Sequence, residues 1–126
     1  MAAKKIDNSF TIYHNPRCTK SREALEILRA KGVEIKIVRY LVTPLTYQDL
    51  KNLLVKLNMR PMYILRKEED LYKKKFKGKY FTDDEWTKIM VENPILIERP
   101  IVTHHNKGLL CRPPRRVLEL FPAKEE

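Results

Sequence analysis

Cys18 is the residue with the most chemistry open to it. Phe10-Thr11-Ile12-Tyr13 is a β-branched and aromatic run that reads as a strand. His14-Asn15-Pro16-Arg17 interrupts it, and a helical pattern runs from Thr19 to Lys31. Cys18 therefore stands at or beside a helix N-cap, where unpaired N–H groups and the positive end of the helix dipole converge. Such a position lowers a thiol's pKa and turns it into a thiolate nucleophile. Arg17, Lys20 and Arg22 add positive charge, and His14 is close in sequence. Ser21 sets a limit on the chemistry. Cys18-Thr19-Lys20-Ser21 is a C-x-x-S arrangement, whereas a dithiol oxidoreductase needs a second cysteine at that last position. The second thiol of any redox cycle must come from Cys111, from a small thiol or from another protein.

Three arginines form a second group. Arg66, Arg99 and Arg112 each sit beside an apolar segment, in Ile64-Leu65-Arg66, Ile97-Glu98-Arg99-Pro100 and Cys111-Arg112-Pro113. A guanidinium presents a rigid fork of donors suited to tetrahedral oxyanions, although any one of the three alone reads as a surface charge on a snorkelling stem. Cys111 sits in an apolar strand and reads as a buried, inert thiol. His104 and His105 lie at a hairpin and are given no catalytic role. Lys73-Lys74-Lys75-Phe76-Lys77 reads as a solvated face, because its aromatics lack the spacing of a base-stacking platform.

The elements that must position these groups follow from periodicity and breaks. Gly32 stands where the first helix needs a positive-φ cap. Val33 to Tyr40 alternates as a second strand, so a crossover makes the first two strands parallel. Thr46 with Asp49, and Thr82 with Glu85, have capping-box spacing ahead of helices ending near Asn58 and Asn93. Pro61 opens a further helical segment through Ile64, Leu65 and Leu71. Tyr72 to Tyr80, with five lysines and one glycine, reads as an exposed loop. Ile101-Val102-Thr103 and Leu109-Leu110-Cys111 form a hairpin around Asn106-Lys107-Gly108. Pro113 and Pro114 start a terminal helix with Val117, Leu118 and Leu120 facing inward. The expected fold is α/β: a mixed four-stranded sheet, β-α-β then β-β-α, with the middle helices capping one end.

Size and charge bound the rest. A chain of 126 residues, 43% hydrophobic and 33% charged, is one globular domain. Its net charge of +10 favours anionic partners without choosing among them. No run approaches the roughly 18 apolar residues of a membrane span. Met1 to Asp7 lacks the apolar region of a signal peptide. Two cysteines make no disulfide framework, which suits a cytoplasmic chain with reduced thiols. Without C-x-x-C pairs, and with three scattered histidines, no zinc site is expected.

At His14-Asn15-Pro16-Arg17-Cys18-Thr19-Lys20-Ser21-Arg22 the chain resembles the glutaredoxin-linked type of arsenate reductase. Tyr40-Leu41-Val42-Thr43-Pro44, Leu65-Arg66-Lys67, Phe81-Thr82-Asp83-Asp84, the segment from Asn93 to Val102, and Leu110-Cys111-Arg112-Pro113 are similar to family segments in family order. The resemblance implies a single thioredoxin-like domain, with its core at about 10–42 and 98–121 and a helical insertion at about 43–97. It implies that Cys18 attacks arsenate to form a thioarsenate, and that Arg66, Arg99 and Arg112 hold the oxyanion and its arsenite product. It implies that His14 favours the thiolate, that Asn15, Ser21 and Arg22 belong to the active-site loop, and that Pro100 is the cis-proline beside it. Glutathione is then the co-substrate and glutaredoxin the partner that resolves the mixed disulfide. No bound cofactor, no metal, no nucleic acid and a monomer are expected. Arg115 and Arg116 depart from the family, many of whose members carry an acidic residue after Cys-Arg-Pro. The alternatives are a general thiol oxidoreductase and a Spx-like regulator that binds RNA polymerase. Spx-like relatives usually carry C-x-x-C or lack the arginine set, so the three arginines favour the enzyme.

Overall fold

Ser9–Tyr13 (β1), Thr19–Ala30 (α1) and Glu34–Val38 (β2) form the expected β-α-β unit in the computed structural model, which describes residues 9–122. The leader reading of Met1 to Asp7 falls outside the described residues. β1 and β2 are parallel, with Ser9 opposite Glu34 and Tyr13 opposite Val38. Ile101–His104 (β3) pairs antiparallel with β1, and Lys107–Leu110 (β4) pairs antiparallel with β3. The sheet order is β2-β1-β3-β4, the mixed four-stranded arrangement expected.

Alternation along β1 sends Phe10 and Ile12 to one face, where they meet Ala24, Leu25 and Leu28 of α1 together with Val117 and Leu120. Three helices follow in the middle of the chain: Tyr47–Leu57 (α2), Asp70–Lys75 (α3) and Asp83–Glu92 (α4). Leu50, Leu53, Leu54 and Leu57 of α2 and Trp86 and Met90 of α4 share a core with Ile101, and Tyr13, Val38 and Leu110 pack against it. The middle helices thus cover the second sheet face instead of capping one end. Both capping boxes form. The Asp49 amide donates to Thr46 Oγ1 at 3.0 Å and the Glu85 amide to Thr82 Oγ1 at 3.1 Å, with the carboxylates returning to the cap amides. Gly32, with φ +70°, ends α1 as expected.

Several expectations are corrected. The lysine-rich stretch is partly helical, because Tyr72 and Phe76 sit four residues apart and both pack against the Trp86 ring, at centroid distances of 6.4 and 6.0 Å. Pro61–Ile64 is only a 3₁₀ turn, after which Leu65 bridges to Ile97. The hairpin turn is His105-Asn106, with His105 at φ 55°. Gly108 instead lies in β4, where an added Cβ would stand 3.4 Å from Leu57 Cδ2 and 3.3 Å from Thr103 Cγ2. It lets α2 approach the sheet. The terminal helix, Pro114–Leu120, is 3₁₀, so positions three apart share a face. Val117 and Leu120 are buried, while Leu118 is 44% exposed and does not face inward. Among the described residues no helix is long and apolar enough to cross a membrane.

Candidate active site

The loop between β1 and α1 holds Cys18 as the N-cap of α1, with φ −92° and ψ 121°. The loop is braced from within. Ser21 Oγ accepts from the Asn15 amide at 3.1 Å and lies 2.6 Å from His14 Nδ1. Asn15 turns its side-chain oxygen to the Arg17 amide at 3.0 Å, and its carbonyl accepts from the Cys18 amide at 2.9 Å. Arg22 donates to the Pro16 carbonyl at 2.9 Å and to Thr19 Oγ1 at 3.3 Å. His14, Asn15, Ser21 and Arg22 thus fix the backbone that presents the thiol. Burial holds the His14 imidazole below its usual pKa, and Arg39, Arg29 and Arg22 push it the same way. The ring meets Ser21 and so supports the loop's shape.

Cys18 is half-buried, and burial by itself raises a thiol's pKa. The Ser21 amide, the Arg99 guanidinium and the Lys20 amide together outweigh that, and the thiol lies below its ordinary value. No acidic residue occupies the first turn of α1 to weaken the effect. Arg99 reaches this site from the far end of the sequence, in the segment that enters β3 through a cis Arg99-Pro100 bond. Its Nε and Nη1 are buried and meet no acceptor among the described residues. Buried N–H groups are nearly always paired, and two left open beside an activated thiol form a donor set for an anion.

The other two arginines are placed differently. Arg112 Nη1 donates to the Arg99 carbonyl at 2.8 Å, so it holds the Arg99 backbone. The Arg66 guanidinium, 12% exposed, is taken up by carboxylates: Glu98 at 2.7 Å, Glu69 at 3.2 Å and Glu68 at 3.7 Å. Glu69 and Glu98 are site residues that sequence reasoning missed. Glu69 had a signal in its three-residue spacing from Arg66; Glu98 lies 32 positions away and had none. Tyr40 was missed too. Burial pushes its phenol up to about 12, the charges of Arg99 and Arg66 and a hydrogen bond with Arg99 pull it down, and Cys18 pushes it up again.

Cys111 takes no part in this cluster. It is fully buried in the core under α1, and burial pushes its thiol up to about 12. Both cysteines are free. Among the described residues no group of three or more His, Cys, Asp or Glu is placed to hold a metal ion. The arrangement offers one thiol held below its ordinary pKa, a helix N-terminus and two unpartnered guanidinium nitrogens. That is equipment for nucleophilic attack on an oxyanion. Alkylation of Cys18 by iodoacetamide, followed from about pH 4 to 10, should have its midpoint below the roughly 8.5 of a free thiol. Sulfate should slow the reaction by occupying the donor set. A midpoint at or above the free-thiol value would remove the activated nucleophile.

Residues 13–120 match the ArsC family. The chain is 44% identical over 111 residues to YfgD of Escherichia coli K12, described as an uncharacterized protein, with 86% of this chain and 93% of that one covered. It is 40% identical over 116 residues to an arsenate reductase of the same strain, covering 91% of this chain and 82% of that one. The solved structure of arsenate reductase from Vibrio cholerae superposes with a TM-score of 0.86 at 39% identity, over 90% of this chain and 98% of that one. The shared architecture is the thioredoxin-like fold.

Proposed function

The chain belongs to the ArsC family, and from that premise we propose that it reduces arsenate to arsenite through a single active-site cysteine, with glutathione as co-substrate. The observation that carries this reading is the pair of unpartnered, buried Arg99 N–H groups beside the thiol that Arg99 itself helps to ionise. Arsenate is anionic at neutral pH, so a thiolate attacking it needs the combined charge offset. Arg99 and the first amides of α1 supply that directly. Arg112 supports Arg99, and Arg66 joins the oxyanion by exchanging a carboxylate for it.

In the first step the Cys18 sulfur bonds to arsenic and one As–O bond breaks, the oxygen leaving as water after protonation. Arsenic is still pentavalent. A glutathione thiolate then attacks the Cys18 sulfur. The S–As bond breaks, its electron pair stays on arsenic, and arsenite leaves. The two electrons come from the two sulfurs, which end as a Cys18–glutathione disulfide. A glutaredoxin thiol attacks the glutathione sulfur and frees Cys18. Ser21 cannot act as a resolving thiol, and Cys111 is buried and protonated near neutral pH. A reducing compartment, the cytoplasm, suits two free thiols and this supply of electrons.

Intact mass spectrometry after incubation with arsenate and glutathione, without glutaredoxin, should show one glutathione adduct mapped to Cys18. Added glutaredoxin should remove it and accelerate arsenite formation, and thioredoxin should substitute poorly. Loss of two hydrogens with a Cys18–Cys111 cross-link, and full turnover on thioredoxin, would replace the relay with an internal dithiol mechanism.

A further inference from the structure

Tyr40 belongs to none of the groups that the proposed reaction uses. It follows β2, turns its ring into the core and is completely buried, at 0% exposure. Its hydroxyl donates to the Ile97 carbonyl at 2.9 Å, a contact spanning 57 positions. Ile97 sits in a short paired segment. It bridges antiparallel to Leu65, flanked by the Arg66 amide on the Leu96 carbonyl and the Glu98 amide on the Ile64 carbonyl, both at 2.8 Å. One side of this pairing carries Arg66, and the other carries its partner Glu98 and then Arg99. Arg112 closes the far end on the Arg99 carbonyl. The arginine-bearing segments are therefore one hydrogen-bonded unit, and Tyr40 ties that unit to the β1-α1-β2 part of the chain that carries Cys18.

The geometry points to Tyr40 as a positioning residue of the anion site: by holding the Ile97 carbonyl, its hydroxyl sets where the Arg99 guanidinium stands relative to Cys18. The idea rests on the oxyanion reading above and adds the group that keeps the site formed before the anion arrives. A donor fork stabilises a developing charge only if it is already in place, because reorganising it during the reaction would cost the same interaction. Tyr40 itself touches neither the reacting sulfur nor the substrate in this account.

Tyr40→Phe keeps the ring and its packing and removes one oxygen, leaving the Ile97 carbonyl without its donor. The midpoint of Cys18 alkylation should move up toward the free-thiol value. The sulfate concentration giving half protection should rise about ten-fold, the size that one lost buried hydrogen bond supports. Met90→Ala, a cavity in the same core at a fully buried position, should lower the melting temperature and leave both readouts at wild type. In an Arg99→Ala background, adding Tyr40→Phe should produce no further shift, because the two act on one interaction. Wild-type midpoint and protection in Tyr40→Phe would overturn the proposal, as would full additivity with Arg99→Ala. If sulfate fails to protect even the wild type, the oxyanion reading falls, and the alkylation midpoint alone decides the role of Tyr40.

Discussion

Cys18→Ser should reduce arsenite formation to background, a loss on the order of 10⁴-fold or more, as for other enzymes deprived of their nucleophile. A hydroxyl at this N-cap feels the same amides and the same Arg99, yet it ionises far too weakly to attack arsenic near neutral pH. It also holds no electrons that can pass to arsenic in the second step. Cys111→Ser is the matched control. Its sulfur lies 3.6 Å from the Leu109 carbonyl inside the core under α1, so serine can keep an acceptor while burying a more polar group. That variant should melt earlier, at a cost of about 1–3 kcal/mol, and turn over near the wild-type rate per folded molecule. Normal turnover by Cys18→Ser would sink the single-cysteine mechanism. Complete loss in a folded Cys111→Ser protein would make Cys111 a participant.

The parts of this fold that local sequence specifies were legible. Thr46 with Asp49 and Thr82 with Glu85 satisfy one another's neighbouring amides over three residues, so their spacing is sufficient to place two helix starts. Gly32 ends α1 because only the backbone conformation matters there. What failed depended on partners distant in sequence. The helix from Asp70 to Lys75 looks like a charged loop until Trp86 is known to cover Tyr72 and Phe76. Gly108 resembles a turn glycine until α2 is known to press on it. The 3₁₀ form of Pro114–Leu120 changes which leucine faces inward, and the residue types there suit either helix.

The candidate site divides along the same line. The placement of Cys18 ahead of a helix, and the bracing of its loop by Asn15, Ser21 and Arg22, all lie within eight residues and follow from local pattern. The arginines were legible as a set from the family resemblance and not as individuals. Nothing in the sequence says that Arg66 spends its fork on Glu98 and Glu69 while Arg99 leaves two donors open. Tyr40 read as the end of a strand, and its contact with Ile97 spans 57 positions.

That difference among the arginines leads to the second large effect. Arg99→Ala should lower kcat/KM for arsenate by about 10²–10³-fold, the usual cost of a lost oxyanion donor. It should also raise the midpoint of Cys18 alkylation, because Arg99 is one of the groups holding that thiol down. Its effect on stability should run the other way. Two buried N–H groups without acceptors are a cost to the folded state, so removing them should leave the melting temperature unchanged or higher. Arg66→Ala should show the opposite balance. It strips Glu98 and Glu69 of their counter-charge in a site where both are poorly exposed, so the melting temperature should fall along with activity. Arg112→Ala should lie between, since it loses the bond to the Arg99 carbonyl but leaves the Arg99 fork present. Arg99→Lys should rescue poorly, because an ammonium offers a point charge in place of the guanidinium's planar array of donors. If all three alanine variants keep near-normal kcat/KM and merely melt earlier, these arginines are structural charges and the open donors beside Cys18 serve something other than the oxyanion.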